Sequence, residues 1–367
     1  MKACILTIYD YNLGNRLQNL AVQEFLKQKG CEVVKTLGPF LPEKKPLAAI
    51  RNKLTRILKN PFSIPKKISK KIYYKIEGFD RERVYSYKEF NRSIDFFTYP
   101  FNMQTDLSPL NNYFDLFVTG SDQVFSTEFF GDDLKNYMLG FANDKKKKIA
   151  LAPSFGTTVF SEELIKNCRR YLPSFNGLSC REKSGSEFLE RILGKKVETL
   201  IDPTLLFDKE FYRRYEKEYR PALNGKYIYI YSLGGINKER LDKVKKIAKD
   251  NGLKIIDTFR DYGPSEFIYL VDHAQWVITD SFHGTVFSII FNKPLSIFRR
   301  STKGTVDMFT RFYSLFSLLN EPIEKYSFDL ALNSPEFSIS ILPKPNLSSS
   351  INKERKVFNE YFDNSMN

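Results

Sequence analysis

The chain has 367 residues, 42% of them hydrophobic, which is enough for two domains of ordinary size. No apolar run reaches the roughly 18 residues of a membrane-spanning helix. Four scattered cysteines (Cys4, Cys31, Cys168, Cys180) form no C-x-x-C pair, so neither a zinc nor a redox motif is indicated, and buried thiols are expected. The net charge of +14 favours anionic partners. It comes without a helix-turn-helix, RNP-like or zinc-finger pattern, so nucleic acid is not an expected partner.

In chain order, residues 3–8 read as a buried strand rather than the core of a secretory signal, and a cytoplasmic protein is expected. A helix opens at Gly14-Asn15-Arg16-Leu17-Gln18, with apolar residues at helical spacing and Gly30 as its C-cap. A second strand follows over residues 31–35. This β-loop-α-β start is that of a Rossmann-like unit. From about 38 to 112 the rhythm breaks. The segment is basic and aromatic and reads as a helical insertion. Within it, residues 47–59 place apolar residues at helical spacing beside a basic face, a pattern that suits either an anionic membrane or a solvated surface helix. Strands resume at 114–119 and 148–152. A helix near 162–172, a short strand ending in Cys180, a helix over 186–193 and a strand at 197–200 complete the half. Residues 207–223 read as a helical linker. A second α/β unit starts with the alternating Tyr and Ile of residues 226–232 and continues through helix 238–250 and strand 254–257. Residues 311–319 read as a helix, 333–350 as a loop-rich tail able to pack back on the first domain, and 352–362 as a final helix.

Residues 276–294 are the richest stretch. An apolar run ends in Thr279-Asp280-Ser281, and Phe282-His283-Gly284-Thr285 leads into a second apolar run. This is a buried strand, a polar turn and a helix start. In open α/β sheets ligands bind at such strand ends, and a helix N-terminus favours anions. His283 is one of two histidines in the chain and suits proton transfer near neutral pH. The same residues are equally compatible with a packed histidine beside an N-cap.

The expected architecture is therefore α/β, with two Rossmann-like domains facing across a cleft. They comprise residues 1–205, carrying the basic helical insertion at about 40–112, and residues 206–330, carrying the His283 strand end, with 331–367 as tail and final helix.

Several blocks resemble the polysaccharide pyruvyl transferase family. In order they are residues 14–23, Thr119-Gly120-Ser121-Asp122-Gln123, Ala152-Pro153-Ser154-Phe155-Gly156, Ser179-Cys180-Arg181-Glu182, Asp202-Pro203-Thr204, Gly263-Pro264-Ser265-Glu266 and Thr279 to Thr285. Phe125 stands where many relatives carry Trp, and Pro153 where many carry a small residue. The resemblance implies a GT-B-like fold and transfer of pyruvate from phosphoenolpyruvate to a sugar of a glycan or lipid-linked glycan precursor, giving a ketal. Phosphoenolpyruvate is the donor substrate, and no cofactor is implied.

On that reading Arg181 grips the donor's phosphate or carboxylate through paired hydrogen bonds. His283 is the acid, and Asp122 accepts a proton from the attacking hydroxyl or, alternatively, caps a helix. Ser281, Gly284 and Thr285 contact phosphate. Asn15, Arg16 and Gln18 hold acceptor or phosphate. Asp280 caps a helix, and His273 packs structurally. No metal cage is visible in the Asp and His spacing, so no metal is expected. Contact with an anionic membrane at the inner face of the cell is a further expectation from the basic insertion. Two other readings stand beside this one. One is a GT-B glycosyltransferase that uses a nucleotide sugar, with Glu266 on its ribose. The other is a non-catalytic glycan- or lipid-binding relative.

Overall fold

The alternating apolar runs become two large parallel sheets, beside a small two-stranded one over residues 179–199, in the computed structural model, which describes residues 1–9, 11–40, 79–219, 225–257, 262–300, 309–332 and 338–367. The first sheet is built from β1 (Lys2–Leu6), helix α1 (Leu13–Gln28), β2 (Val33–Phe40), α2 (Phe79–Phe90), β3 (Phe96–Phe101), β4 (Leu116–Asp122) and β5 (Lys147–Pro153). Its strand order is β3-β2-β1-β4-β5, all parallel. Near-continuous burial along β4 and β5 is what a parallel sheet covered on both faces requires. Between β4 and β5 lies the short helix α3 (Thr127–Phe130). Helix α4 (Glu162–Tyr171), β6 (Ser179–Cys180), α5 (Lys183–Leu193), β7 (Glu198–Thr199) and α6 (Lys209–Arg213) follow.

The second sheet has the order β11-β10-β8-β9, again all parallel. Its elements are β8 (Tyr227–Tyr231), α7 (Lys238–Asp250), β9 (Lys254–Ile256), α8 (Pro264–Asp272), β10 (Trp276–Thr279), α9 (Phe282–Ile290) and β11 (Leu295–Ile297). Helices α10 (Thr310–Leu318), α11 (Phe328–Leu332) and α12 (Ser348–Met366) end the chain. The alternation in β8 divides two cores. Tyr227, Tyr229 and Tyr231 join a cluster that includes α1 residues of the first unit, while Ile228 and Ile230 face Trp276 and Phe328. The buried tyrosine hydroxyls find partners, Tyr227 donating to Leu270 O at 3.0 Å and Tyr229 pairing with Tyr262. This is the GT-B-like arrangement of two Rossmann-like units sharing a cleft.

Some sequence expectations are corrected. The segment read as a helical insertion contains β3, an edge strand paired with β2, and α2 is the crossover before it. Pro100 lies within β3, and an edge strand tolerates proline because one side of its ladder is unpaired. β2 itself runs on to Phe40. The amphipathic stretch 47–59 lies outside the described residues. The linker helix is short, ending at Arg213. The final helix is longer than expected and packs on the first unit. Phe358 and Phe362 meet Phe25 edge-on at 5.2 Å, and Tyr361 donates to Ala150 O at 2.7 Å. Gly177 is required there, since a Cβ would stand 2.0 Å from Ser365 Oγ.

In each sheet the strand order reverses once, between β1 and β4 in the first and between β8 and β10 in the second. Those switch points are where open α/β sheets bind ligands. Here both open onto the same cleft.

Candidate active site

The cleft holds about 300 Å³ and is lined from both units. From the first come Tyr9 and Asn12 after β1, Asn15 on α1, and Asp122 and Gln123 at the end of β4. From the second come Leu233 after β8, Ser281, Phe282 and His283 at the start of α9, and Arg300 and Arg311. Arg300 and Arg311 make part of the wall cationic, and Phe129, Phe130 and Tyr137 make another part of it aromatic.

His283 occupies the first turn of α9, whose N-cap is Ser281. Its ring lies against the backbone at the start of α1. A Cβ on Gly14 would come within 2.0 Å of His283 Nδ1. The absence of a side chain at position 14 is therefore what lets the second unit's histidine seat on the first unit's helix. His283 Nε2 faces Asp202 Oδ2 at 3.6 Å. Asp202 is fully buried and collects Arg181 Nη1 at 2.7 Å, Thr204 N at 3.0 Å and Thr204 Oγ1 at 2.6 Å. Burial pushes its carboxyl up, but His283, Arg181 and Thr204 together outweigh that and hold it well below the usual carboxylate range. The imidazole is thus placed between the buried Asp202 carboxylate and the start of α1.

Asp122 receives Asn15 Nδ2 on one oxygen and faces Arg181 Nη2 at 3.4 Å on the other. Asn15, Asp122, Ser281 and His283 are thus brought together as expected. Arg181 is not in the wall. It lies behind it, 2% exposed, bound to Asp202 and Asp122 with its guanidinium 4.5 Å over the Phe282 ring. Burial lowers its pKa, but the three acids around it, Asp202 foremost, reverse the shift and keep it charged.

Other candidates do not line the cleft. The Gln18 carboxamide is committed to Thr7 Oγ1 (2.7 Å), Asn15 O (3.0 Å) and Ser121 N (3.0 Å), tying the ends of β1 and β4 together. Arg16 donates to Ile8 O at 3.0 Å and stacks 4.4 Å over Tyr9, bracing the loop after β1. Gly284 gives its N–H to Ser281 Oγ at 3.4 Å, and a Cβ there would meet Thr279 Oγ1 at 2.4 Å, so it is a packing glycine. Thr285 is buried, its N–H on Ser281 O. Ser281 Oγ serves as the cap. Asp280 caps nothing. It holds the loop after β8 through Leu233 N (2.8 Å), Gly234 N (2.7 Å) and Ser232 Oγ (3.1 Å), and takes Arg300 Nε at 3.2 Å. Glu266 folds back onto Gly263 N at 3.0 Å and does not reach the cleft.

Sequence reasoning missed two cleft cations. Arg300 follows the end of β11, so the strand-end rule applied once more would have found it. Arg311 sits on the aromatic helix α10, where a lone arginine among Phe and Tyr was the available signal. It is 5% exposed, with its guanidinium 5.7 Å from the Phe282 ring. Burial, then the charge of Arg181, push its pKa down to about 10 against the opposing pull of Glu182 and Asp122.

Among the described residues one trio, Glu216, Asp272 and His273, brings possible metal ligands within 4.8 Å. It lies outside the cleft. Arg213 already grips Asp272 at 2.6 and 3.1 Å, and His273 pairs with Glu216 at 2.7 Å and stacks on Tyr269, which reads as an ion-pair network. No helix among the described residues is long and apolar enough to cross a membrane.

A sequence model of the polysaccharide pyruvyl transferase family matches residues 12–302. No curated protein matches the chain. Among solved structures it is similar to the UDP-bound MnaA protein of S. aureus, at 9% identity and a TM-score of 0.48 over 100% of this chain and 98% of that one. It is also similar to UDP-GlcNAc 2-epimerase from Neisseria meningitidis bound to UDP-GlcNAc, at 12% identity and 0.45 over 99% of both. Likenesses of this degree carry nothing about activity.

Proposed function

The chain belongs to the polysaccharide pyruvyl transferase family, and from that premise we propose that it moves the pyruvyl unit of phosphoenolpyruvate onto a sugar of a surface-glycan precursor, forming a pyruvate ketal. The observation that carries this reading is the cleft wall that joins His283, at a helix N-terminus, to Arg300 and Arg311. Phosphoenolpyruvate presents a phosphate and a carboxylate, and such a wall supplies cations and a positive dipole end for both.

The chemistry follows from that placement. The His283 imidazolium gives a proton to C3 of phosphoenolpyruvate, which leaves positive charge on C2. A sugar hydroxyl adds at C2 and passes its proton to Asp122. The C2–O bond to phosphate breaks, and the bonding pair leaves with the phosphate. A second hydroxyl of the same sugar then attacks C2, gives its proton to the departed phosphate and closes the ring. The products are the ketal and inorganic phosphate. Asp202 orients His283, and Arg181, bound to Asp202 and Asp122, positions both carboxylates. The aromatic wall suits the C–H face of a pyranose acceptor. The competing nucleotide-sugar reading relied on Glu266 for the ribose, and that carboxylate is spent on Gly263.

Incubation with phosphoenolpyruvate and a panel of pyranosides, glycan and lipid-linked, is expected to release phosphate only with an acceptor that carries two suitably spaced hydroxyls. Proton NMR is expected to show a new ketal methyl signal. Phosphate release without a ketal across such a panel would remove the reading. The same proposal places the acceptor at the inner face of an anionic membrane, motivated by the excess of lysine and arginine over residues 44–92. Sedimentation with liposomes is expected to depend on anionic lipid. Equal sedimentation with neutral liposomes would contradict it.

A further inference from the structure

We propose that Phe129, on α3, is the platform on which the pyranose ring of the acceptor stacks, and so the side chain that selects an uncharged sugar for the cleft. The inference rests on the pyruvyl-transfer reading and names the residue that sets its acceptor specificity.

The surrounding residues fix where that ring stands. Helix α3 follows the end of β4, just beyond Asp122. It closes at Gly131, whose φ of 74° lets the chain turn away while its N–H reaches Thr127 O at 2.9 Å. Of the two adjacent phenylalanines, Phe130 is the anchor. Its ring packs on Tyr137 at 4.8 Å, and Tyr137 meets Phe101 edge-on at 6.1 Å in the core of the first unit. Phe129 sits edge-on to Phe130 at 6.2 Å, yet it is 56% exposed. Among the described residues it is the one phenylalanine left exposed, and it lines the cleft. A lone apolar side chain on an open surface is ordinary. A ring on the wall of a cavity, backed by Phe130, Tyr137 and Phe101, is a preformed contact surface for what enters that cavity.

Chemistry decides what covers it. The face of an aromatic ring carries the negative end of its quadrupole. It repels the phosphate and carboxylate of the donor and attracts the polarised C–H bonds that a pyranose presents along one face. Asn15 supports the same assignment independently. It borders the same cavity at 3% exposure, donates Nδ2 to Asp122, and leaves Oδ1 without a hydrogen-bond partner. That oxygen can only accept. An ionised phosphate or carboxylate has no proton to give it, whereas a sugar hydroxyl does. Asn15, Asp122 and Phe129 all belong to the first unit, while His283, Arg300 and Arg311 belong to the second. The cleft is therefore divided, with the first unit reading the sugar and the second holding the enol phosphate.

Because the ring is exposed, its replacement is expected to leave the melting temperature unchanged. Phe129→Ala is expected to weaken pyranoside binding about 10-fold, the scale of one aromatic contact. Phe129→Leu keeps apolar bulk without a π face and is expected to lose nearly as much. Phe129→Trp is expected to bind at least as tightly as wild type. In turnover the same loss is expected in KM for the acceptor, with kcat retained.

The experiment is a saturation-transfer NMR titration of wild type and the three variants with methyl glucopyranoside, galactopyranoside and mannopyranoside, with and without phosphoenolpyruvate, beside calorimetry with phosphoenolpyruvate alone. Transfer from aromatic protons to the sugar C–H protons that falls in the alanine and leucine variants but not in the tryptophan one, with phosphoenolpyruvate affinity unchanged, supports the inference. Pyranoside binding by Phe129→Ala within about 2-fold of wild type overturns it, being less than one such contact is worth. A Phe129→Trp as weak as Phe129→Ala, a parallel loss of phosphoenolpyruvate binding, or a phosphoenolpyruvate-bound wild type that takes none of the three pyranosides overturns it as well. A wild type that does not bind phosphoenolpyruvate at all overturns the functional reading itself, an outcome distinct from these.

Discussion

His283→Gln is expected to lower kcat for pyruvyl transfer by about 100- to 10,000-fold, the range for loss of a positioned general acid, while leaving the protein folded. Glutamine occupies similar space and is a good helix former, so α9 should persist. What it lacks is a proton that moves near neutral pH. The geometry concentrates that function on one ring. His283 is 6% exposed, sits at the cleft wall, and has an ionised, fully buried Asp202 3.6 Å from Nε2. Asp202 in turn is held by Arg181 and Thr204. Initial rates of phosphate release at saturating donor and acceptor, together with a melting curve, check the expectation. A folded variant that retains more than about a tenth of wild-type kcat would show that the proton comes from elsewhere.

Gly14→Ala is the second large effect, and it is unexpected from local propensity. Alanine in place of glycine inside a helix normally stabilises by about 0.5–1 kcal/mol. Here a Cβ would come within 2.0 Å of His283 Nδ1, 2.4 Å of Cγ and 2.5 Å of Cε1. The ring, and not a flexible chain end, must give way, and it is pinned by packing in α9. Either His283 moves by an ångström or more, or the two units part slightly. A misplacement of that size is expected to cost about 100-fold in kcat. The double variant Gly14→Ala with His283→Ala is expected to recover the thermal stability that the single glycine change loses, because the three atoms nearest the new Cβ all belong to His283. Separate, additive losses would show that they do not couple.

Much of this was legible in the residues. The runs that became β1, β4, β8 and β10 are apolar enough to be buried parallel strands. The polar turn after β10 announces a ligand-binding strand end, and His283 is at the cleft. The phase along α1 was not legible. Asn15 and Gln18 are one turn apart on similar faces, yet Asn15 reaches the cleft and Gln18, a turn deeper, is consumed between the sheet ends. Arg181 carried the right charge for a ligand, but only the fold reveals Asp202 and Asp122 waiting for it. β3 was hidden because the basic, aromatic run around it reads as a helical insertion, and only its pairing with β2 shows an edge strand. Arg311 was hidden because a single cation in an aromatic helix has no pattern to repeat.

The shared cleft, on the proposed function, is a site for a small enol phosphate that carries both a phosphate and a carboxylate. Titrating the wild-type protein calorimetrically with phosphoenolpyruvate, and separately with UDP-N-acetylglucosamine, tests it most directly. Saturable binding of phosphoenolpyruvate is predicted, with no comparable binding of the nucleotide sugar. Saturable binding of the nucleotide sugar with none of phosphoenolpyruvate would contradict it.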